Sequence, residues 1–476
     1  MIQFDNSYAQ LPSDFYSLID APNEWKPTLI AFNHALADEL GIDLKEVSEE
    51  QLAAFFAATE FMPGSRPVAM AYAGQQFGHF VPQLGDGRAM LLGEFVAKNN
   101  ERYDIHLKGS GRTSFSRRGD GRSALGPVIR EYILSEGMHA LGVPSTRTLC
   151  AVRTGEVVQR DTPAPGAVMT RLARSHVRVG TFQYFAGRND PVNLKLLTDY
   201  TVARLYPQLV GSADLYFQFW SQVAERQMKL IAHWMSLGFI HGVMNTDNVN
   251  VSGETIDYGP CAFMDEFNWN KVFSSIDQNG RYAYSNQPKV GLWNLARLAE
   301  CLMLLMDGTQ EENGQRFSLQ LQALQGVYEQ EFHTRMLTKL GLIDSHSGDN
   351  ELVKNFLQLL QDHELDFTLS FLDLERMLNE QIPFTQLATV AGFVEWEKSW
   401  LKRSPSKALM TKTNPSVIPR NHQVEQAIQA ANNGDDGVFH EMVEAVRYPF
   451  IRTEELMTFQ KAPALQERVL RTFCGT

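Results

Sequence analysis

The chain has 476 residues, 44% hydrophobic and 21% charged, which suits one large catalytic domain or two to three ordinary ones and excludes a disordered chain or coiled coil. Lys plus Arg number 43 against 55 Asp plus Glu, and the net charge of −12 repels nucleic acid unless basic residues gather in one patch. The N-terminal "MIQFDNSYAQLPSDFYSLID" has neither a basic-then-apolar leader nor an Arg-rich amphipathic pattern, and the apolar "CLMLLM" at 301–306 is too short to span a bilayer. Cys150, Cys261, Cys301 and Cys474 show no CxxC spacing and no disulfide framework, the usage of a cytoplasmic protein with reduced thiols.

Residues 33–60, "NHALADELGIDLKEVSEEQLAAFFAATE", predict helices broken at Gly41 and capped near Ser48, with Glu49 and Glu50 in the first turn. After "FMPGSRP" the pattern turns to strands. "HFVPQL" and "AMLLGEFVA" flank Gly85-Asp86-Gly87-Arg88, which reads as a hairpin turn, and "YDIHLK" is a third strand ending at Lys108. A Gly/Ser/Arg-rich loop, 109–123, leads to a helix near Pro127 with Leu125, Ile129, Tyr132 and Ile133 on one face. "GEVVQRDTPAPGAVMTRLA" predicts a second hairpin turning at "TPAPG". From about residue 190 helices dominate. Tyr216, Phe219, Trp220, Val223, Leu230, Ile231 and Trp234 form a core-facing stripe that stops at Gly238. Further helices are expected at 290–306, 318–341 and 351–362. Strands first and helices after is the order of a two-lobed, kinase-like fold with a nucleotide between the lobes.

The stretch 238–259, "GFIHGVMNTDNVNVSGETIDYG", has the layout of a kinase catalytic loop running into a metal-binding D-[FY]-G. Two residues after His241, where such a loop carries the aspartate that accepts the substrate proton, stands Val243. Asn248 lies seven residues after His241 and Asp257 nine beyond Asn248, both hard oxygen donors suited to Mg²⁺. Either alone is an ordinary turn former; their spacing from His-Gly points to a metal site. His241 is expected to organise the loop backbone. Lys108 precedes a helix that carries Glu131 23 residues later, the arrangement of a kinase strand lysine and its helix glutamate. Gly85 and Gly87 either admit phosphate to the backbone amides or simply turn a hairpin. Arg112, Arg117, Arg118, Arg122 and Arg130 crowd into 19 residues, and Arg171, Arg174 and Arg178 follow. A basic run is usually a solvated face, yet beside a triphosphate site it offers bidentate phosphate contacts.

The segments "FGHFVPQLGDGRAMLLGE", "DIHLKGSGRTSFSRRGDGRSALGPVIREYILSEGMHALGVPSTRTL", "TRLARSHVRVGTFQ" and "HGVMNTDNVNVSGETIDYGPCAFMD" resemble the selenoprotein O (SelO) family, over essentially the full chain. The resemblance implies a protein adenylyltransferase of kinase-like fold that binds ATP inverted and transfers AMP to Ser, Thr or Tyr hydroxyls of proteins, itself included. Bacterial members extend this to UMP transfer from UTP with Mn²⁺. Matched by position, Gly85, Gly87, Arg88, Lys108, Asp120, Gly121, Arg171, Arg178 and Asp257 bind nucleotide, Asp247 is the base, and Asn248 and Asp257 hold Mg²⁺ or Mn²⁺. Family members often carry a C-terminal redox residue; Cys474 in "RTFCGT" stands there, with Cys261 as a candidate partner, and four unpaired thiols are an equal alternative.

The expected fold is therefore α+β and bilobal: a helical extension at 1–65, an N-lobe at 66–170, a C-lobe at 171–320 and a helical region at 321–476 packed on it. A γ-phosphate-transferring kinase and a non-catalytic nucleotide-binding scaffold are the alternatives. Val243 argues against the first, and the set Lys108, Asn248 and Asp257 against the second. Expected partners are hydroxyl-bearing proteins, with no nucleic acid and no membrane, and the chain is expected to be a monomer.

Overall fold

The structure is a computed structural model describing residues 2–378 and 386–473. Its strands are β1 Tyr16–Leu18, β2 Thr28–Phe32, β3 Val68–Met70, β4 Gly74–Gln76, β5 His79–Val81, β6 Ala89–Val96, β7 Arg102–Lys108, β8 Ser123–Ala124, β9 Arg147–Val158, β10 Ala164–Ala173, β11 Phe239–Ile240 and β12 Ala262–Phe263. Helices begin with α1 His34–Leu40, α2 Glu49–Phe56, α3 Leu125–Ala140, α4 Val179–Ala186 and α5 Pro191–Leu205. They continue with α6 Leu215–Ser236, α7 Gln287–Met303, α8 Gln310–Lys339, α9 Asp349–Asp362, α10 Phe367–Met377 and α11 Phe393–Leu401. The last four are α12 Lys407–Thr413, α13 Asn421–Asn432, α14 Gly437–Arg447 and α15 Met457–Gln460. This is an α+β fold, strands gathered in the first part and helices in the second.

The main sheet is antiparallel, in the order β1-β3-β6-β7-β10-β9-β2, with β8 against β10. Alternation along its central strands splits the core in two. Met90, Leu92, Ile105, Leu107, Val168 and Leu172 join the helices α1 and α2 on one face. Leu91, Ala167 and Met169 join Ile129, Tyr132 and Ile133 of α3 on the other. Ser48 caps α2 by accepting from Gln51 N, and Gly41 ends α1 at φ 79°, as the sequence predicts.

Two turns differ from expectation. Residues 85–88 do not join paired strands, because β5 pairs with β4 in a separate two-stranded sheet while β6 lies between β3 and β7. Asp86 N instead donates to Met70 O (2.9 Å), laying this loop against the end of β3. The β9–β10 hairpin turns at 159–163, so Ala164, Pro165 and Gly166 of "TPAPG" already belong to β10, with a bulge between Pro165 and Ala167. The helix-dominated part also begins earlier than residue 190, at α4.

The α6 stripe is core as expected, except that Tyr216 stays half-buried beside the fully buried Phe219 and Trp220. The Trp220 indole donates to Leu295 O of α7 (2.9 Å), which satisfies its polar edge inside the core. Among the described residues no helix is long and apolar enough to cross a membrane. Near the other end of the chain, Thr472 N donates to Phe273 O (2.8 Å) and Ser275 N to Thr472 O (3.0 Å), so the tail pairs with the segment that follows Asp257.

Candidate active site

The strand β7 delivers Lys108, α3 delivers Glu131, β10 delivers Arg171, and the turn into α4 delivers Arg178. These meet Asp257 in one buried cage. Lys108 Nζ lies 2.6 Å from Glu131 Oε2 and 2.8 Å from Asp257 Oδ1. Arg171 Nη2 lies 2.5 Å from both Glu131 Oε1 and Asp257 Oδ1, and Arg178 Nη1 3.7 Å from Asp257 Oδ2. The Glu131 pairing expected from the 23-residue spacing is thus made. Burial alone would raise the Asp257 carboxyl, but Arg171, Lys108 and Arg178 override it and hold it well below the usual carboxylate range. Asp257 sits at φ 64°, a left-handed conformation that costs a non-glycine residue energy and here aims its carboxylate into the cage.

The loop 241–248 forms the opposite wall. His241 takes the backbone role expected of it: Nε2 donates to Ile256 O (2.9 Å) and Nδ1 accepts from Val243 N (3.4 Å), while burial lowers its basicity. Asn248, the last residue of a 3₁₀ turn, Thr246–Asn248, donates from Nδ2 to Val243 O (3.0 Å). Arg178 Nη1 donates to the Asp247 carbonyl (3.0 Å), and Gln76 Nε2 to Asp247 Oδ2 (3.4 Å). Asp247 Oδ1 is buried without a hydrogen-bond partner among the described residues. Burial pushes the Asp247 carboxyl up to about 6 against the opposing charge of Arg178.

Two adjoining cavities are lined between them by every residue that the family resemblance matched to nucleotide, base or metal. An inner one of about 300 Å³ is lined by Gly87, Arg88, Lys108, Arg171, Arg178, Asn248 and Asp257. An outer one of about 540 Å³ is lined by Gly85, Gly87, Arg88, Phe115, Asp120 and Gly121. Asp247 and Arg88 line both, and so mark the junction. The Arg88 guanidinium forms no ion pair among the described residues. Asp120 lies away from the cage, paired with Arg160 at 2.8 Å.

The glycines have a packing role of their own. A Cβ on Gly85 would stand 2.3 Å from the Phe115 ring, and one on Gly87 2.8 Å from Phe115 O. Both let the loop 109–122 close over residues 85–88, where Thr113 Oγ1 donates to Asp86 O (2.7 Å). Of the eight arginines, Arg130 turns away to Glu425 of α13 and Arg174 pairs with Glu101 at 3.1 Å. Both leave the phosphate-gripping set that their spacing suggested.

Sequence reasoning missed four contributors. Asp86 Oδ2 accepts from Met70 N (3.1 Å) and pairs with His106 Nε2 (3.1 Å), while its Oδ1 faces Arg178 at 4.0 Å. The Tyr72 ring lies 4.6 Å under the Arg178 guanidinium, holding it by cation–π attraction. Gln76 reaches Asp247, and Gly74 lets β4 pass beside it: a Cβ there would stand 2.5 Å from Asp247 Oδ1. No motif announces these; each is one residue on a short strand or in a loop. Gly74→Ala is expected to displace the Asp247 carboxylate and lower kcat by roughly 10²-fold, with the unfolding transition little changed. Steady-state kinetics beside calorimetry check this; unaltered kcat would mean that Asp247 tolerates displacement.

The family model for protein adenylyltransferase SelO matches residues 1–447. The chain belongs to the SelO family. Its relatives include the protein nucleotidyltransferases YdiU of Agrobacterium fabrum, 49% identical over 100% of both chains, and of Rhizobium etli, 47% identical over 99% of this chain and 97% of the relative. That of Nitrosococcus oceani is 46% identical over the same shares. As a SelO member the chain is a protein nucleotidyltransferase. Cys474 lies outside the described residues; Cys261 is buried, its thiol against Tyr258 O at 3.2 Å.

Proposed function

We propose that the enzyme transfers AMP from ATP, or UMP from UTP, to Ser, Thr or Tyr hydroxyls of proteins, with the nucleotide entering terminal phosphates first. The observation that carries this is the division of the site. The deep cavity holds Lys108, Arg171 and Arg178, matched to the β- and γ-phosphates, and the outer one offers Phe115, Gly121 and Asp120 to a nucleoside. Asp247 stands where the two meet, which is where an α-phosphate would lie.

In this reading the Asp247 carboxylate accepts the proton of the incoming hydroxyl as its oxygen bonds to the α-phosphorus. The α–β phosphoanhydride bond breaks, and pyrophosphate leaves with its charge neutralised by Lys108, Arg171 and Arg178. Asn248 and Asp257 are the proposed holders of Mg²⁺ or Mn²⁺. Their donors fit: Lys108 and Arg171 engage Asp257 Oδ1, while among the described residues Oδ2 forms an ion pair only with the distant Arg178, and the Asn248 amide group is turned by its bond to Val243 O. Among the described residues no cluster of three His, Cys, Asp or Glu competes for a metal. When bound, such a cation supplies charge neutralisation at the phosphoryl oxygens.

The division into a kinase-like N-lobe at 66–170 and C-lobe at 171–320, flanked by helical regions 1–65 and 321–476, belongs to the same proposal. Its support is that the cage draws Lys108 and Glu131 from the strand-rich part and Asp257 from the helical part. The chain is proposed to act as a cytoplasmic monomer. ATP labelled at either the α- or the γ-phosphate, offered with protein substrates and Mg²⁺ or Mn²⁺, tests the chemistry. Label is expected to transfer from the α-position only. Transfer from the γ-position would instead make the enzyme a kinase, and UTP in parallel decides the base.

A further inference from the structure

A third cavity, of about 560 Å³, shares no lining residue with the two above. It is reached from the opposite face of β10, since Leu172, which lines it, points away from the neighbouring Arg171 of the cage.

Its walls differ in chemistry. On the side of α1, β7 and β10 it is apolar, with Leu36, Leu40, Leu172 and the ring of Tyr103. On the side of α6 and α8 it is cationic, with Arg226, Lys229 and Arg335, and Arg147 and Arg174 add two more guanidinium groups. Against these five cations the lining carboxylates are Glu39 and Glu254. Burial also pushes the Glu254 carboxyl up to about 7, which mutes its charge near neutrality. The lining His233 adds nothing, because burial lowers it to about 3 and leaves it neutral.

Four of the cations have carboxylate partners outside the lining: Arg147 with Glu136 (2.8 Å), Arg174 with Glu101 (3.1 Å), Lys229 with Glu225 (2.6 Å) and Arg335 with Glu331 (2.8 Å). Arg226 forms no ion pair among the described residues; its guanidinium lies 4.2 Å over the Tyr206 ring. Arg226 is thus the cation of this concave site left without a carboxylate partner among the described residues, and the site lies away from the catalytic cage. An apolar wall facing guanidinium groups suits a ligand with a planar or apolar body and a phosphate head.

We propose that this cavity is a second binding site, for a phosphorylated small molecule of nucleotide size, separate from the catalytic cavities. It adjoins both segments that serve the cage. Arg174 N donates to Glu254 Oε2 (3.1 Å), tying the turn three residues after Arg171 to the turn three residues before Asp257. The site stands independently of the transfer chemistry proposed above.

Equilibrium dialysis of the full chain with labelled ADP tests it, with glucose 6-phosphate and inorganic phosphate as competitors. Two ADP sites per chain are expected. The double variant Arg226→Glu/Lys229→Glu weakens one of them at least tenfold and spares the other, while Lys108→Ala does the reverse. The spared site and an unchanged unfolding transition report that the double variant is folded. A single site per chain, or two sites that both ignore the charge reversal, overturns the proposal. Competition by inorganic phosphate or glucose 6-phosphate as strong as unlabelled ADP overturns the assignment of a planar or apolar body.

Discussion

Asp257→Asn is expected to lower nucleotidyl transfer by on the order of 10²–10³-fold or more, read as label moved from α-labelled ATP to protein. The residue has two functions that the substitution separates from bulk. Its charge balances Lys108, Arg171 and Arg178, and in the proposed mechanism its Oδ2 is the end offered to a divalent cation. Asn is the informative replacement because it keeps the shape and, among non-glycine residues, tolerates φ 64° best. Leaving buried cations uncompensated costs about 3–5 kcal/mol, so a lower unfolding temperature is expected as well. The sign of its pH dependence follows from the depressed carboxyl. Wild type gains this stability above the unfolded carboxyl value of about 4 and loses it as pH falls through the folded one, so the two proteins converge in acid. Undiminished transfer in a folded Asp257→Asn variant would remove the cage from the mechanism.

The second large effect belongs to Asp247. Asp247→Asn is expected to cost on the order of 10²–10⁴-fold in kcat, the range of a lost general base. With the carboxyl pushed up to about 6, wild-type kcat/KM should fall roughly tenfold per pH unit below that point, and the variant should lose this limb. Stability should move the other way. A raised carboxyl binds its proton more tightly when folded, so wild-type stability declines as pH rises from about 4 through 6. Two units correspond to roughly 2–3 kcal/mol, so the amide variant should be the more stable protein at pH 7.5 and lose that advantage below pH 4. A pH–rate profile beside calorimetry at both pH values checks the pair. An acid limb that persists in the variant would assign the titration to another group.

What the sequence disclosed was what lies close in the chain or repeats at a fixed spacing. His241, Asn248 and Asp257 sit within one short stretch, and Lys108 and Glu131 are joined by one strand-to-helix connection, so their geometry was legible. The α1 and α2 boundaries were legible for the same reason, since caps are local. Pairing was not. Whether residues 85–88 turn a hairpin depends on which strand lies beside β6, and β3, more than twenty residues earlier, takes that place. Likewise nothing local says that Arg130 faces Glu425 rather than phosphate. Tyr72, Gln76 and Asp86 became visible only when the chain brought them against Arg178 and Asp247.

The cage balances its own charge before any substrate arrives: Lys108, Arg171 and Arg178 against Glu131, Asp257 and Asp86. A stray sulfate or phosphate ion therefore finds no surplus inside the cage itself, and Arg88 at the junction of the two cavities, with no ion pair among the described residues, is the cation left to meet it. A triphosphate carries more negative charge than Arg88 offsets, so compensating positive charge brought with it eases its entry. Such a chamber favours a nucleotide presented with its counter-charge over the free anions that crowd a cell.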